Sequence, residues 1–460
     1  MAVARRLSQG YSRIREEARQ ASRLITVRNV LLVILALAFW WRLIYVAEVP
    51  GQTLPVRPLE LHGDEVQYNS IALSLMDGEG YTNARGPVPI LPPVYPTFLA
   101  AVYTASDNSL IAVWVAQAAI STATCAVVFF IGRRAFNPAT GLVAAGLAAV
   151  YPWFIFWNRF VITETLFIFL LSLSVLAMLW AAERPVLRNL ALAGVLIGLA
   201  NLTHSTALLL PVLFGGWLLL SLGLRRGAPA AGLFIVAFVL TLAPWTLRNY
   251  IKYDELTPIS AHGGTNLYYA NNPHAIPDEP HYSFSKDVDP ADLSEVEDKP
   301  FLEQDRILRN KAIDFILEHP RTTISNGIQR VQVLWRNVPT PSVSNMPGLR
   351  LRYFSRHIDA ALELMFLAGA VAAVVRWRAA IVLLLLPLQT TVLHVFFPVM
   401  GNARSRVMFM PVVVVLAGFA VYAAWRVVAS TPLWASAIRS GVRERSLEST
   451  WRLIREPRRS

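Results

Sequence analysis

The stretch LHGDEVQYNSIAL, residues 61–73, sets His62, Asp64 and Glu65 almost side by side in a chain that is otherwise apolar. An ionised carboxylate beside a hydroxyl can accept its proton as the oxygen attacks, a contribution of typically ~10² to 10⁴ in rate. A third carboxylate, Glu164, opens the apolar run in NRFVITETLF, and Arg85, Arg159, Arg248, Arg404 and Arg406 stand at similar boundaries. A guanidinium fork matches the oxygens of a phosphate. A base and a phosphate clamp together suit group transfer from a phosphorylated donor. Each residue also has a local explanation. Asp64 begins a helix expected over 64–76, where a cap or dipole role needs no chemistry. Glu164 falls in a first helical turn, after Thr163 as a possible cap, and single arginines can snorkel to lipid headgroups. Convergence of three carboxylates and several arginines on one membrane face favours a cleft.

The membrane itself follows from composition. Of 460 residues, 55% are hydrophobic and only 16% charged, which excludes a set of soluble domains and indicates a polytopic membrane protein. The net charge of +12 is nearly all arginine and tracks the ends of apolar stretches, so it is a topology signal and not a nucleic-acid footprint. The one cysteine, Cys125, sits in an apolar run and excludes an internal disulfide. His62, His262 and His281 lack metal-ligand spacing, so no metal and no cofactor are expected. Nor is there a Rossmann or P-loop glycine pattern.

Apolar stretches at 29–48, 110–131, 140–157, 163–182, 189–203, 205–222, 230–247, 357–375, 379–397 and 407–425 approach the ~20 residues a bilayer requires. The segment PPVYPTFLAAVYTAS, 92–106, is shorter and suits an interfacial or re-entrant helix. Leaving it uncrossed puts Arg133/Arg134, Arg184/Arg188, Arg225/Arg226, Arg376/Arg378 and both tails on one side; counting it as a span exports those clusters. The positive-inside rule therefore predicts about ten transmembrane helices with both termini cytoplasmic.

The expected organisation is a basic tail at 1–28, an N-terminal transmembrane catalytic module at 29–247 that includes the external loop 49–109, and an extracytoplasmic cap at 248–356. C-terminal helices at 357–425 and a basic tail at 426–460 complete it. In the cap, FLEQDRILRNKAIDFILEHP has helical apolar spacing, and RTTISNGIQRVQVLW predicts a second helix on the membrane surface. AHGGTNLYYANNP is expected to be a turn-rich loop, with Tyr268 and Tyr269 able to face a sugar.

The ordered set HGDEVQYNSIAL, PPVYPTFLA, NRFVITETLF, APWTLRNY with ISAHGGTNLYYANNP, and NARSRVMFMP resembles the bacterial glycosyltransferases of the GT-C fold. The branch is the one shared by protein O-mannosyltransferases and the aminoarabinose transferase of lipid A, and the motifs span about residues 60–410. The resemblance implies an all-α polytopic protein with external juxtamembrane helices and a small extracytoplasmic cap. It also implies transfer of a sugar from a polyprenyl-phosphate donor to a hydroxyl of a glycan, lipid or protein, with inversion, at the outer face of the cell membrane. Asp64 matches the family's first-loop acid and is assigned as base, Glu65 as its support or acceptor ligand, and Glu164 as the second acidic position. His62, Arg85, Arg159, Arg404 and Arg406 are assigned to the substrate, chiefly the donor phosphate. Where the aminoarabinose branch has a lysine before the double proline, this chain has Leu91, which weakens a pentose assignment. The alternative is a transporter or flippase of a lipid-linked sugar. Such carriers place polar groups near mid-membrane and often show inverted repeats, whereas the charges here gather at one face.

Overall fold

The computed structural model describes residues 26–47, 61, 63–82, 91–277, 289–335, 349–398 and 402–430. Among these residues the fold is all-helical. The helices are α1 (Val27–Ala47), α2 (Asp64–Met76), α3 (Val94–Ser106), α4 (Leu110–Ala135), α5 (Pro138–Val150), α6 (Pro152–Phe156), α7 (Glu164–Glu183), α8 (Leu187–Asn201), α9 (Leu210–Leu222) and α10 (Leu224–Tyr253). They continue with α11 (Gly263–Ala270), α12 (Pro290–Val296), α13 (Phe301–Glu318), α14 (Pro320–Trp335), α15 (Leu349–Ala372), α16 (Trp377–Phe396), α17 (Asn402–Val407) and α18 (Met410–Ser430).

All ten apolar segments become helix. Among the described residues seven stretches are long and apolar enough to cross a membrane, or eight when the bent pair Pro138–Val150 and Pro152–Arg159 counts as one span. The difference from ten has two sources. Helix α8 has 15 residues and falls short of the length required, while His357–Phe396 forms one stretch of 40 residues. A helix of that length would run about 60 Å, twice the ~30 Å hydrocarbon core. A 3-10 turn at Ala373–Arg376 breaks it. Asp359, before the break, pairs with Arg406, and Gln389, after it, bonds Thr206. Residues 375–378 instead line a cleft with Arg134 and Glu183 at the far end of the bundle. The stretch thus leaves one end and returns to it.

Helix α3 stays at the acidic end. Its first amide donates to the Leu202 carbonyl, Tyr95 Oη donates to Gln117 (3.0 Å), and Tyr103 Oη donates to Asn69 on α2 (2.7 Å). With 13 residues it is about 20 Å long, too short to span.

Small residues let the backbones approach, as membrane helices require in the absence of a hydrophobic drive between them. A Cβ on Gly141 would lie 2.5 Å from the Phe129 carbonyl oxygen. The break between α5 and α6 follows from Pro152, which lacks the N–H that would bond the carbonyl four residues earlier. Arg42, fully buried on α1, supplies the missing donors: it bonds the carbonyls of Ala148 (3.4 Å) and Ala149 (3.1 Å) and Ser121 Oγ (2.8 Å). The sequence reading of α1 as a plain span gave this arginine no role.

The cap has its own small core of Tyr268, Val296, Leu308 and Ala312. The glycine-rich segment expected as a loop is helical over 263–270. The carboxylate of Asp305 accepts from the amides of Gly264 (3.1 Å) and Thr265 (2.8 Å) and from the Thr265 hydroxyl (2.9 Å). An acid at a helix start satisfies orphan N–H groups and opposes the dipole, which outweighs the helix cost of two glycines. Tyr268 donates to Asp292 inside the cap, so its hydroxyl is spent there. Buried Arg330 on α14 ties the cap to the bundle, donating to Ala270 O and Val395 O, each at 2.6 Å.

Cysteines placed at Asp77 and Asp107 bracket α3, and one at Pro185 lies at the opposite end. Single variants at Asp77 and Asp107 should label with a membrane-impermeant maleimide from the outer side, and the Pro185 variant only after permeabilisation. Labelling of Asp77→Cys and Asp107→Cys from opposite sides would make 92–106 a span.

Candidate active site

Helix α2 begins at Asp64 because Gly63 turns the chain with φ +57°, a backbone region that a Cβ disfavours. No side-chain cap bond forms at that start. Asp64 is therefore not the cap, although its place in the first turn still suits the helix dipole; its Oδ2 accepts from Nη2 of Arg404 at 2.9 Å. Arg404 lies in α17, and its Nε donates to Oε1 of Glu164 at the start of α7. Thr163 likewise makes no cap bond; its hydroxyl lies 3.4 Å from the other Glu164 oxygen. One guanidinium thus bridges two carboxylates brought from helices far apart in sequence.

The two acids differ in surroundings. The side chain of Glu164 is 0% exposed, that of Asp64 is 42% exposed, and that of Arg404 is 24% exposed. Asp64 faces the open side and Glu164 the protein. Burial alone lowers the Arg404 pKa, but Glu164 and Asp64 outweigh it and the net shift is upward, so the guanidinium stays charged. Tyr68, one turn beyond Asp64, is buried; burial first, then Asp64 and Glu164, raise its pKa, so it remains a phenol able to donate a hydrogen bond.

Glu65 is assigned elsewhere by the geometry. Its Oε1 accepts from the Val161 amide at 2.8 Å, which fastens α2 to the turn after Trp157–Arg159. Arg159 in that turn lies 5.0 Å from the Tyr45 ring centroid, a cation–π distance. Arg406 stands two residues from Arg404 but points into the bundle, where it pairs with Asp359 (3.0 Å) and Glu363 (2.9 Å). Tyr151 and Trp153 also donate to Asp359 (2.9 and 3.3 Å), so Arg406 belongs to a buried ion-pair network and its fork is already engaged. Its expected role at the donor phosphate does not fit that placement. His62 and Arg85 lie outside the described residues. No group of three or more potential metal ligands occurs among the described residues.

His204 escaped the sequence reading. It follows α8, lies tilted against Phe167 (5.2 Å between ring centroids), and feels the charges of Glu164, Asp64 and Arg404. Burial pushes its pKa down to about 4, so the imidazole is neutral at physiological pH. Thr206 Oγ1 lies 3.0 Å from its Nδ1. The signal was the polar break THST between two short apolar runs, on the same face as Asp64. From the cap, His262 is close enough to Asp64 to feel its charge; burial lowers its pKa, against the pull of Asp305 and Asp64.

Residues 91–246 match the family model of dolichyl-phosphate-mannose-protein mannosyltransferases, about a third of the chain. The structure superposes on the archaeal oligosaccharyltransferase AglB from Archaeoglobus fulgidus, in complex with an inhibitory peptide and a dolichol-phosphate. The TM-score is 0.54 at 12% identity, over 93% of this chain and 54% of that one. The chain has the GT-C fold. The same Archaeoglobus fulgidus enzyme in complex with Zn and sulfate gives 0.54 at 13% identity, over 92% of this chain and 52% of that one. ArnT from Cupriavidus metallidurans bound to undecaprenyl phosphate gives 0.40 at 15% identity, over 85% of this chain and 77% of that one. This GT-C chain spans about half the length of AglB. No curated protein sequence matches it.

The bridge makes a measurable prediction. Arg404→Gln leaves Glu164 buried without its cation and should cost roughly 3 kcal/mol, near the lower figure for breaking a buried pair because Arg404 keeps some exposure. Glu164→Gln leaves Arg404 paired with Asp64 and should cost less. Thermal unfolding of both single variants and the double variant should show the double well below the sum. Additive losses would mean that the two groups do not interact.

Proposed function

We propose that the protein is a glycosyltransferase that moves a sugar from a polyprenyl-phosphate donor to a hydroxyl acceptor at the acidic face, which is the extracytoplasmic one. The observation that carries this reading is the pairing of a half-exposed Asp64 with a buried Glu164 across Arg404. It sits in a GT-C bundle whose residues 91–246 match a lipid-phosphate-dependent family.

The steps are simple because a lipid phosphate is already a good leaving group. The acceptor oxygen attacks the anomeric carbon while Asp64 takes its proton, and the bond from that carbon to the phosphate oxygen breaks with its electron pair leaving on the phosphate. Attack opposite the departing phosphate inverts the anomeric centre. Arg404 holds Asp64 in register through Nη2, and its Nη1, which meets no acceptor among the described residues, is offered to the leaving phosphate. Arg159 and Arg85 are the further phosphate ligands of this reading. Glu164 orients Arg404, and Glu65 anchors α2 through Val161. Neutral His204 and phenolic Tyr68 supply hydrogen bonds without adding charge.

Asp64→Asn keeps the size of the side chain and an acceptor for Arg404 but removes the basic charge. The purified variant, reconstituted with a panel of radiolabelled polyprenyl-phosphate sugars, should bind the wild-type donor and lose transfer by about 10²-fold or more. Turnover near wild type at saturating donor would remove Asp64 from the chemistry.

A further inference from the structure

Helix α7 carries a carboxylate at each end, Glu164 in the acidic site and Glu183 about 30 Å away. At the Glu183 end the bundle opens into a cleft of ≈ 510 Å³ between α4, α7, α9 and the turn that joins α15 to α16. Three arginines line it: Arg134, Arg376 and Arg378. Among the described residues only Arg134 is neutralised, by its pair with Glu183. Arg376 and Arg378 are exposed and meet no carboxylate among the described residues. The cleft also holds donors unmet among the described residues. Arg134 Nε and the Ser221 hydroxyl are buried and have no hydrogen-bond partner among the described residues. Unmet buried donors are costly, so they call for an acceptor.

The wall around these donors is apolar where the bilayer would be. Val375 is 88% exposed and Trp377 is 44% exposed beside the arginines, and the Trp377 ring lies under Arg378 at 5.3 Å. The turn itself is held in place, because Trp217 Nε1 donates to the Arg378 carbonyl at 2.8 Å. A ligand that fits must offer phosphate-type acceptors on one side and hydrocarbon on the other. The chain's own tails, 1–25 and 431–460, are poor occupants because both are rich in arginine and net positive.

We propose that this cleft binds the headgroup of an anionic phospholipid from the leaflet opposite the acidic site, with its phosphate between Arg376, Arg378 and Arg134 and its acyl chains along Val375 and Trp377. Basic pockets between membrane helices at a leaflet surface hold such headgroups, and the guanidinium forks give the phosphate paired donors. The cleft shares no residue with the transfer site, so this proposal stands or falls apart from the proposed activity.

Native mass spectrometry of the full-length protein, released from micelles doped with equal phosphatidylglycerol and phosphatidylcholine, tests it. The wild type should retain phosphatidylglycerol selectively. Arg376→Gln/Arg378→Gln, two exposed sites whose change should leave the unfolding temperature near wild type, should lower that retention about tenfold. The control Arg225→Gln/Arg226→Gln removes the same charge from the same end of the bundle but outside the cleft, and should keep it. Equal retention of the two lipids by the wild type would overturn the proposal. So would equal losses in the two double variants, or displacement of the lipid by millimolar inorganic phosphate.

Discussion

A carboxylate taken wholly out of water costs several kcal/mol unless a cation meets it in good geometry. Glu164 is in that position, with no exposed side-chain surface, and Arg404 is the cation that meets it. Much of the acidic end depends on this contact. It brings α17 against the start of α7, and the second arm of the same guanidinium then reaches Asp64 on α2. Remaining pieces serve that alignment: the left-handed Gly63 sets the entry to α2, Glu65 pins α2 to Val161, and the break at Pro152 places the turn that carries Val161.

The bundle separates its charges by purpose. Arg404 and Arg406 are neighbours in sequence, yet one serves an open site and the other a sealed network with Asp359 and Glu363. The network joins α15 to the segment before α18, and Tyr151 and Trp153 bring the broken helix onto it. Arg42 performs a related task on the other side of the break, covering carbonyls that Pro152 leaves open. Buried Arg42 and Arg330 both spend their donors on backbone carbonyls at helix ends.

Helix α2 was legible to the residue, because the two acids mark its start and the apolar spacing its course. The apolar segments were legible too, since a bilayer imposes length and composition directly. Asp64, Glu164 and Arg404 could be named as belonging to one face, but the pairing that joins them could not. Their partners lie up to 340 residues away in the chain, and spacing in sequence says nothing about such contacts. The same limit hid the engagement of Arg406 by Asp359 and the helix at Gly263, which depends on Asp305 about 40 residues downstream. His204 was missed because a lone histidine in a short polar break has no local pattern; only its nearness to Glu164 gives it meaning.

The 340 residues between Asp64 and Arg404 also set a clock. A ribosome adding roughly 5–20 residues per second needs about 20–70 s to travel that distance. During that interval Asp64 and Glu164 exist without the cation that later pairs with both. A buried carboxylate without a cation is costly, so Glu164 gains its final environment only once the segment carrying Arg404 has been made. A chain cut short before residue 404 carries Glu164 without the cation that pairs with it.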